Sequence, residues 1–203
     1  MAPQKYDAWL VDLDGTLYWA LGVRLAMAAE LALFGLHKAA RLRRFRHEHE
    51  RLRADPNAPE GDPFREQLER AARGLSLSPS ELEVDVRTWM VERPARYLRW
   101  FRRRALLAEI AAFRAAGGRT ALVSDYPASR KLDALGVRHL FEVVVASGEP
   151  DGPRRLKPNP DGYLRAGRAL GVAPELCLVV GDRDDADGAA ARAGGMAFRR
   201  IGG

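Results

Sequence analysis

The stretch Tyr6-Asp-Ala-Trp-Leu-Val-Asp12-Leu-Asp14-Gly15-Thr16-Leu17 decides the fold. Its apolar run reads as a buried strand, and the turn at Gly15 leaves two carboxylates two positions apart at the strand end. Side chains alternate along a strand, so Asp12 and Asp14 share one side and can face one pocket. From Arg119 onward the chain alternates. Arg119–Ser124 reads as a strand and Ala128–Leu135 as a helix closed by Gly136. Phe141–Ser147, Leu176–Gly181 and Ala197–Arg200 read as further strands, with helices over Pro160–Leu170 and Asp185–Ala193 between them. Near-continuous apolar strands alternating with helices specify an α/β fold, a three-layer core with a mostly parallel sheet covered on both faces. Ligands of such sheets bind beyond the carboxyl ends of the strands, where Asp12 lies.

Residues from about 19 to 100 carry no strand signal. Ala20–His37 and Ala39–Arg53 have helical periodicity, and Pro63–Arg73 is a short helix before Gly74. Ser78-Pro-Ser-Glu81 is a capping-box pattern opening a helix to about Glu92. A further helix is expected from about Arg96 to Ala116, stopping at Gly117-Gly118. The expected organisation is a core of residues 1–17 and 101–203 with an all-helical insertion, residues 18–100, after the first strand.

Composition excludes several classes. With 203 residues, 47% apolar and 30% charged, the chain has an ordinary globular profile. A single cysteine, Cys177, rules out an internal disulfide scaffold, fits a reducing compartment and reads as a core residue. The start MAPQKYDAW lacks a basic-then-apolar leader, and Ala20–Leu36 is interrupted by Arg24 and Glu30. No membrane association is expected, and the location is read as cytoplasmic. The net charge of +6 comes from 29 Arg and only 4 Lys, which leaves nucleic acid or anionic ligands open. Residues 18–100 balance 15 cations against 12 acids, so their Arg-rich runs read as solvated helix faces, and a nucleic-acid partner is not expected. His47-Glu-His49 is not a metal pair, because residues two apart on a helix do not face each other. Trp89, Tyr97, Trp100 and Phe101 read as packing between insertion and core.

The remaining strand ends add chemistry. Ser124, followed by Asp125, ends the second strand, and Lys157 lies in the loop after the third. Asp182 follows the fourth, trailed by Asp184, Asp185 and Asp187. Adjacent carboxylates repel, which invites a shared proton or a divalent cation, and hard oxygen ligands suit Mg²⁺. Lys157 stands against the strong preference for Arg, as a compact point charge would. The set describes a site for a phosphorylated substrate and a metal.

Together, DLDGTL at Asp12–Leu17, Ser124 after an apolar strand, Lys157 in LKPNPDGY and GDRDDADGAAARAGGM at Gly181–Met196 resemble the four motifs of the haloacid dehalogenase-like (HAD) superfamily. They occur in the family's order, 112, 33 and 25 residues apart. The resemblance implies a Rossmann-like core and makes the insertion a helical cap of the C1 type. It implies a Mg²⁺-dependent phosphatase acting on a small phosphorylated metabolite. By motif position Asp12 would be the nucleophile and Asp14 the general acid and base. Lys157 would offset the charge around Asp12. Ser124, Asp125, Gly15 and Thr16 would surround the phosphoryl group. Asp12, Asp182 and the main-chain carbonyl of Asp14 would hold the metal, with Asp187, or alternatively Asp185, in support. Asp125 stands where many relatives carry Asn. Two other readings remain at this level: a basic nucleic-acid-binding protein with an idle core of this type, and a phosphotransferase. No motif specifies the substrate or whether the chain is a monomer or a homodimer.

Overall fold

The computed structural model describes residues 5–202. Met1–Gln4, on which the leader reading partly rests, and Gly203 lie outside the described residues. Five strands form one sheet: β1 (Ala8–Asp12), β2 (Arg119–Ser124), β3 (Val143–Ala146), β4 (Cys177–Gly181) and β5 (Ala197–Arg200), in the order β3-β2-β1-β4-β5. All pairings are parallel, with Asp12 opposite Val123 and Val11 opposite Val180. Alternation along β1 supplies both layers. Ala8 and Leu10 pack with Val123, Tyr163, Leu170 and Val179 on one face, while Val11 packs with Ile110, Leu122, Leu132 and Val180 on the other. Helices α8 (Asp161–Leu170) and α9 (Ala189–Ala193) cover the first face, and α6 (Arg104–Ala115) and α7 (Ser129–Leu135) the second. Gly136 and Gly171 end α7 and α8 in the left-handed conformation, so the two stops at glycine have a backbone cause.

The insertion contains α1 (Ala20–Phe34), α2 (Ala39–Ala54), α3 (Pro63–Arg73), α4 (Pro79–Arg87) and α5 (Arg93–Leu98). Its own apolar centre includes Leu42, Phe45, Phe64, Leu68 and Trp89. Asp62 caps α3, accepting from Phe64 N and Arg65 N, and the Ser78–Glu81 capping box opens α4.

The third strand is shorter than read, and the helix expected over Asp185–Ala193 opens with a π turn at Asp184–Gly188. Three larger differences lie in the insertion and at its exit. Helix α1 stops at Phe34 rather than His37, because Gly35 takes φ −146° and lies against the Trp89 ring, where a Cβ would sit 2.2 Å from a ring carbon. The helix begun at Pro79 does not end near Glu92. It passes through a widened π-helical turn, Thr88–Glu92, into α5. Pro94 lacks an N–H and clashes with the carbonyl four residues back, and the wider turn accommodates both. The break falls instead at Arg99–Arg103, so the expected single helix Arg96–Ala116 is two. There Trp19 N donates to Phe101 O at 2.8 Å, Arg103 N donates to Leu17 O at 3.0 Å, and Tyr18 and Arg102 form an antiparallel bridge. The aromatic expectation is corrected in part as well. Trp89 is buried and Phe101 packs over Gly22, but Trp100 is 83% exposed.

Candidate active site

Strand β1 delivers Asp12 to the carboxyl edge of the sheet, where it is 7% exposed. One carboxylate oxygen accepts from Thr16 Oγ1 at 3.0 Å, and the other accepts from Lys157 Nζ at 2.5 Å. Lys157 also donates to Val123 O at 3.1 Å and lies 2.8 Å from Asp187 Oδ1. Burial pushes the Asp12 carboxyl up to about 8, against the pull of Lys157 and with the help of Asp187. Ser124, almost fully buried at the end of β2, accepts from Tyr126 N at 3.2 Å and lines the same cleft with its hydroxyl.

Gly15 makes the turn possible. Its φ is +98°, and a Cβ there would lie 2.2 Å from Asp182 Oδ2. A side chain is therefore excluded both by backbone conformation and by space. Gly181 makes room for Asp187, since a Cβ on it would meet Asp187 Oδ2 at 2.4 Å. Asp12, Asp182 and Asp187 each offer a carboxylate oxygen within 4.8 Å of the others. Burial and the neighbouring Asp187 push the Asp182 carboxyl up. Three carboxylates served by one lysine form a donor set that a hard divalent cation fits by charge and chemistry. Asp187 is held by Tyr163 Oη at 2.7 Å and is 2% exposed. Asp185, the alternative, has an exposed side chain paired to Arg183 at 2.6 Å, and Asp184 pairs with Arg192 at 3.0 Å.

The Asp14 carboxylate lies outside that acid cluster. Both its oxygens accept from Lys131 Nζ, at 2.7 and 2.8 Å, and one also accepts from the Tyr18 hydroxyl. Burial opposes ionisation of Asp14, but Lys131 and Tyr18 together hold its carboxyl below the ordinary value. Lys131, on α7 and 4% exposed, was not singled out in the sequence. The signal was available: the minority argument applied to Lys157 applies equally to Lys131, and two of the four lysines converge here. Tyr18 and Tyr163 carried no signal, because a buried tyrosine looks like any core aromatic until its hydroxyl finds a partner.

Asp125 lines the cleft beside Ser124 and is engaged by the insertion. Its Oδ1 accepts from Lys157 N at 3.2 Å, and its Oδ2 faces Arg53 Nε at 3.8 Å and His49 Nε2 at 4.0 Å. Both partners come from α2, and Arg53 also donates to Lys157 O at 2.9 Å. The His49 ring stacks on Tyr126 at 4.4 Å, and its Nδ1 is 3.1 Å from Gln67 Oε1. The insertion thus closes over the strand ends and leaves a cleft of about 730 Å³ between them. Asp12, Asp14, Ser124, Lys157 and Asp182 line its floor, and Arg24, Met27, Arg43 and Arg46 line its roof.

The chain is similar to known proteins in sequence and in fold. A stretch of 71 residues is 45% identical to the glyceraldehyde 3-phosphate phosphatase of Methanopyrus kandleri, covering 35% of this chain and 29% of that protein. The match therefore spans less than a third of the relative's length. A HAD phosphatase from Thermococcus onnurineus superposes with a TM-score of 0.61 at 22% identity, covering 96% of this chain and 86% of the other. The L-2-haloacid dehalogenase of Xanthobacter autotrophicus superposes at 0.63 and 22%, covering 97% and 77%. Across residues 6–195 the sequence matches the haloacid dehalogenase-like hydrolase model, and this chain belongs to that family.

Proposed function

We propose that this protein is a Mg²⁺-dependent phosphatase that hydrolyses a small phosphomonoester through an aspartyl-phosphate on Asp12. The observation that supports it best is the oriented Asp12 carboxylate, bound by Thr16 and Lys157, at the head of a cleft that also holds Asp14. In the first half-reaction Asp12 attacks phosphorus, and Asp14 protonates the departing alkoxide oxygen. A halide leaves without needing a proton, so an acid at this position favours phosphoryl chemistry over dehalogenation. In the second half Asp14 takes a proton from the water that hydrolyses the acyl phosphate. Lys131 and Tyr18 favour the carboxylate left once Asp14 has given up its proton, the form this second step needs. Lys157 and Ser124 neutralise and bind the phosphoryl oxygens, the positioning that phosphoryl transfer chiefly requires.

Asp12, Asp182 and Asp187 would hold Mg²⁺, with the Asp14 main-chain carbonyl as a further ligand; the ion supplies positive charge that offsets the phosphoryl oxygens. On this reading residues 18–100 form a cap that selects the substrate and excludes water, and residues 1–17 and 101–203 form the catalytic core. Among the described residues, no single helix is long and apolar enough to cross a membrane. The test is phosphate release from p-nitrophenyl phosphate and a panel of sugar phosphates, phosphoglycolate and nucleoside monophosphates. Turnover should require Mg²⁺ and vanish in Asp12→Asn. Equal rates for variant and wild type would overturn the mechanism.

A further inference from the structure

Helix α2 carries six arginines, and they divide by what they face. Arg41, Arg44, Arg51 and Arg53 are each paired with a carboxylate of this chain. Arg43 and Arg46 line the cleft instead. Steps of three and four residues put Arg43, Arg46, Glu50 and Arg53 on one side of the helix, the side that closes over the strand ends. Arg24 joins them from α1, where it lines the cleft together with Met27 and Leu31. Among the described residues, Arg24, Arg43 and Arg46 make no ion pair and no side-chain hydrogen bond, although all three border the same cavity. Two of these charges are felt inside it. Burial pushes the phenols of Tyr18 and Tyr126 up, and the charges of Arg24 and Arg46, respectively, oppose that push.

The acids of the cleft are already answered by other cations. Lys131 holds Asp14 at 2.7 Å, Lys157 holds Asp12 at 2.5 Å, and Asp125 faces Arg53 at 3.8 Å. Glu50 lies 3.4 Å from Arg53 and 3.9 Å from Arg183. Asp182 and Asp187 belong to the acid cluster that suits a metal. Three guanidinium groups around one cavity are therefore left without a counter-charge. Like charges repel, and an anion placed among them removes that cost.

We propose that Arg24, Arg43 and Arg46 form a subsite for a second anionic group of the substrate, which makes the substrate class a phosphomonoester that also carries a carboxylate or a second phosphate. This rests on the phosphatase reading above, in which Ser124, Lys157 and the metal serve the phosphoryl group from the floor. The roof arginines are then surplus to the reacting group and meet the far end of the molecule. A guanidinium offers paired N–H donors to a carboxylate or a phosphate alike, and such charged hydrogen bonds are roughly twice as strong as neutral ones. A cleft of about 730 Å³ has room for a whole small metabolite between floor and roof. The rest of the roof is largely apolar, with Val23, Met27, Leu31, Leu42 and Met90. Its one acid on α2, Glu50, is the one already flanked by Arg53 and Arg183.

The test uses matched pairs of compounds. 6-Phosphogluconate and glucitol 6-phosphate share one open six-carbon chain and differ only at the far end, carboxylate against hydroxymethyl. Fructose 1,6-bisphosphate against fructose 6-phosphate probes a second phosphate in the same way. Each pair is compared by kcat/KM for phosphate release with Mg²⁺, and by equilibrium affinity in titration calorimetry on Asp12→Asn. In at least one pair the anion-bearing member should be favoured by roughly 10-fold or more in both measurements. Arg43→Gln and Arg46→Gln should each cut that preference several-fold, with melting unchanged because neither side chain is paired within the chain. No preference in either measurement, including no detectable binding of the anion-bearing members, would overturn the subsite. So would a preference that both glutamine variants leave intact. Equal losses for both members of a pair would overturn it too, since arginines that merely attract anions to the cleft act on both alike. An arginine-dependent preference in calorimetry without phosphate release from any compound would uphold the subsite and refute the phosphatase reading. Mg²⁺-dependent turnover without preference would do the reverse.

Discussion

Replacing Lys157 with methionine tests the electrostatics of the site directly. The ammonium touches Asp12 at 2.5 Å, Asp187 at 2.8 Å and Val123 O at 3.1 Å while only 5% exposed. Methionine fills similar space but leaves two buried carboxylates without their cation. Removing one member of a buried ion pair costs about 3–5 kcal/mol. In a chain of this length each kcal/mol corresponds to about 2–4 °C, so melting should fall by roughly 6–20 °C without added metal. The loss should also depend on pH. Burial already raises Asp12 to about 8 with Lys157 present, and removing the lysine removes the opposing pull. A carboxyl raised in the folded state binds a proton that the unfolded chain has released, so the variant loses stability as pH rises. Its deficit against wild type should be wider at pH 9 than at pH 6. A cation bound to the folded state at a hundred times its dissociation constant contributes about 2.7 kcal/mol. Mg²⁺ should raise the melting temperature of the variant more than that of wild type. Calorimetry at the two pH values, with EDTA and with Mg²⁺, reads all three effects. A deficit independent of both pH and metal would show that Lys157 is not the counter-charge of this acid cluster.

Three further outcomes follow from neighbouring contacts. Gly15→Ala should reduce turnover by at least about 100-fold and abolish the Mg²⁺-dependent rise in melting temperature, because its Cβ would displace Asp182; retained metal response refutes the close approach. Lys131→Gln should move the limb of the pH–rate profile that reports Asp14 to higher pH, since Lys131 holds that carboxyl down; an unmoved limb means the pair is not maintained during turnover. Asp85, paired with Lys38 at 2.9 Å and Arg41 at 2.7 Å, has its carboxyl lowered by these cations, which outweigh burial. Its contribution is present above the unfolded value of 3.8 and is lost as pH falls through the folded one. Asp85→Asn should therefore melt a few degrees lower at pH 7, and the difference should close in acid.

The core was legible because its signals are local. Apolar strands fix β1, β2 and β4, glycines mark the ends of α7 and α8, and Asp12, Ser124, Lys157 and Asp182 each follow a strand by position. The misread boundaries depend on distant contacts. Gly35 ends α1 against Trp89, 54 residues away in sequence, and Arg99–Arg103 breaks a continuous helical pattern because it must pair with residues 17–19. The partners of Asp14 were hidden for the same reason, since Lys131 reaches it from 117 residues away. Asp125 could be flagged as an unusual acid, but its answering groups, Arg53 and His49, lie on a helix whose packing no local pattern reveals.

The bridge between Tyr18 and Arg102 ties the two crossings of the insertion into one neck. Tyr18 belongs both to that neck and, through its hydroxyl, to Asp14. Tyr18 therefore couples the neck to the carboxylate proposed as acid and base. On the proposed mechanism, a swing of residues 20–98 about the neck would change the grip on that carboxylate with no relay between them. Admitting a substrate and readying the site for chemistry would then be mechanically one event.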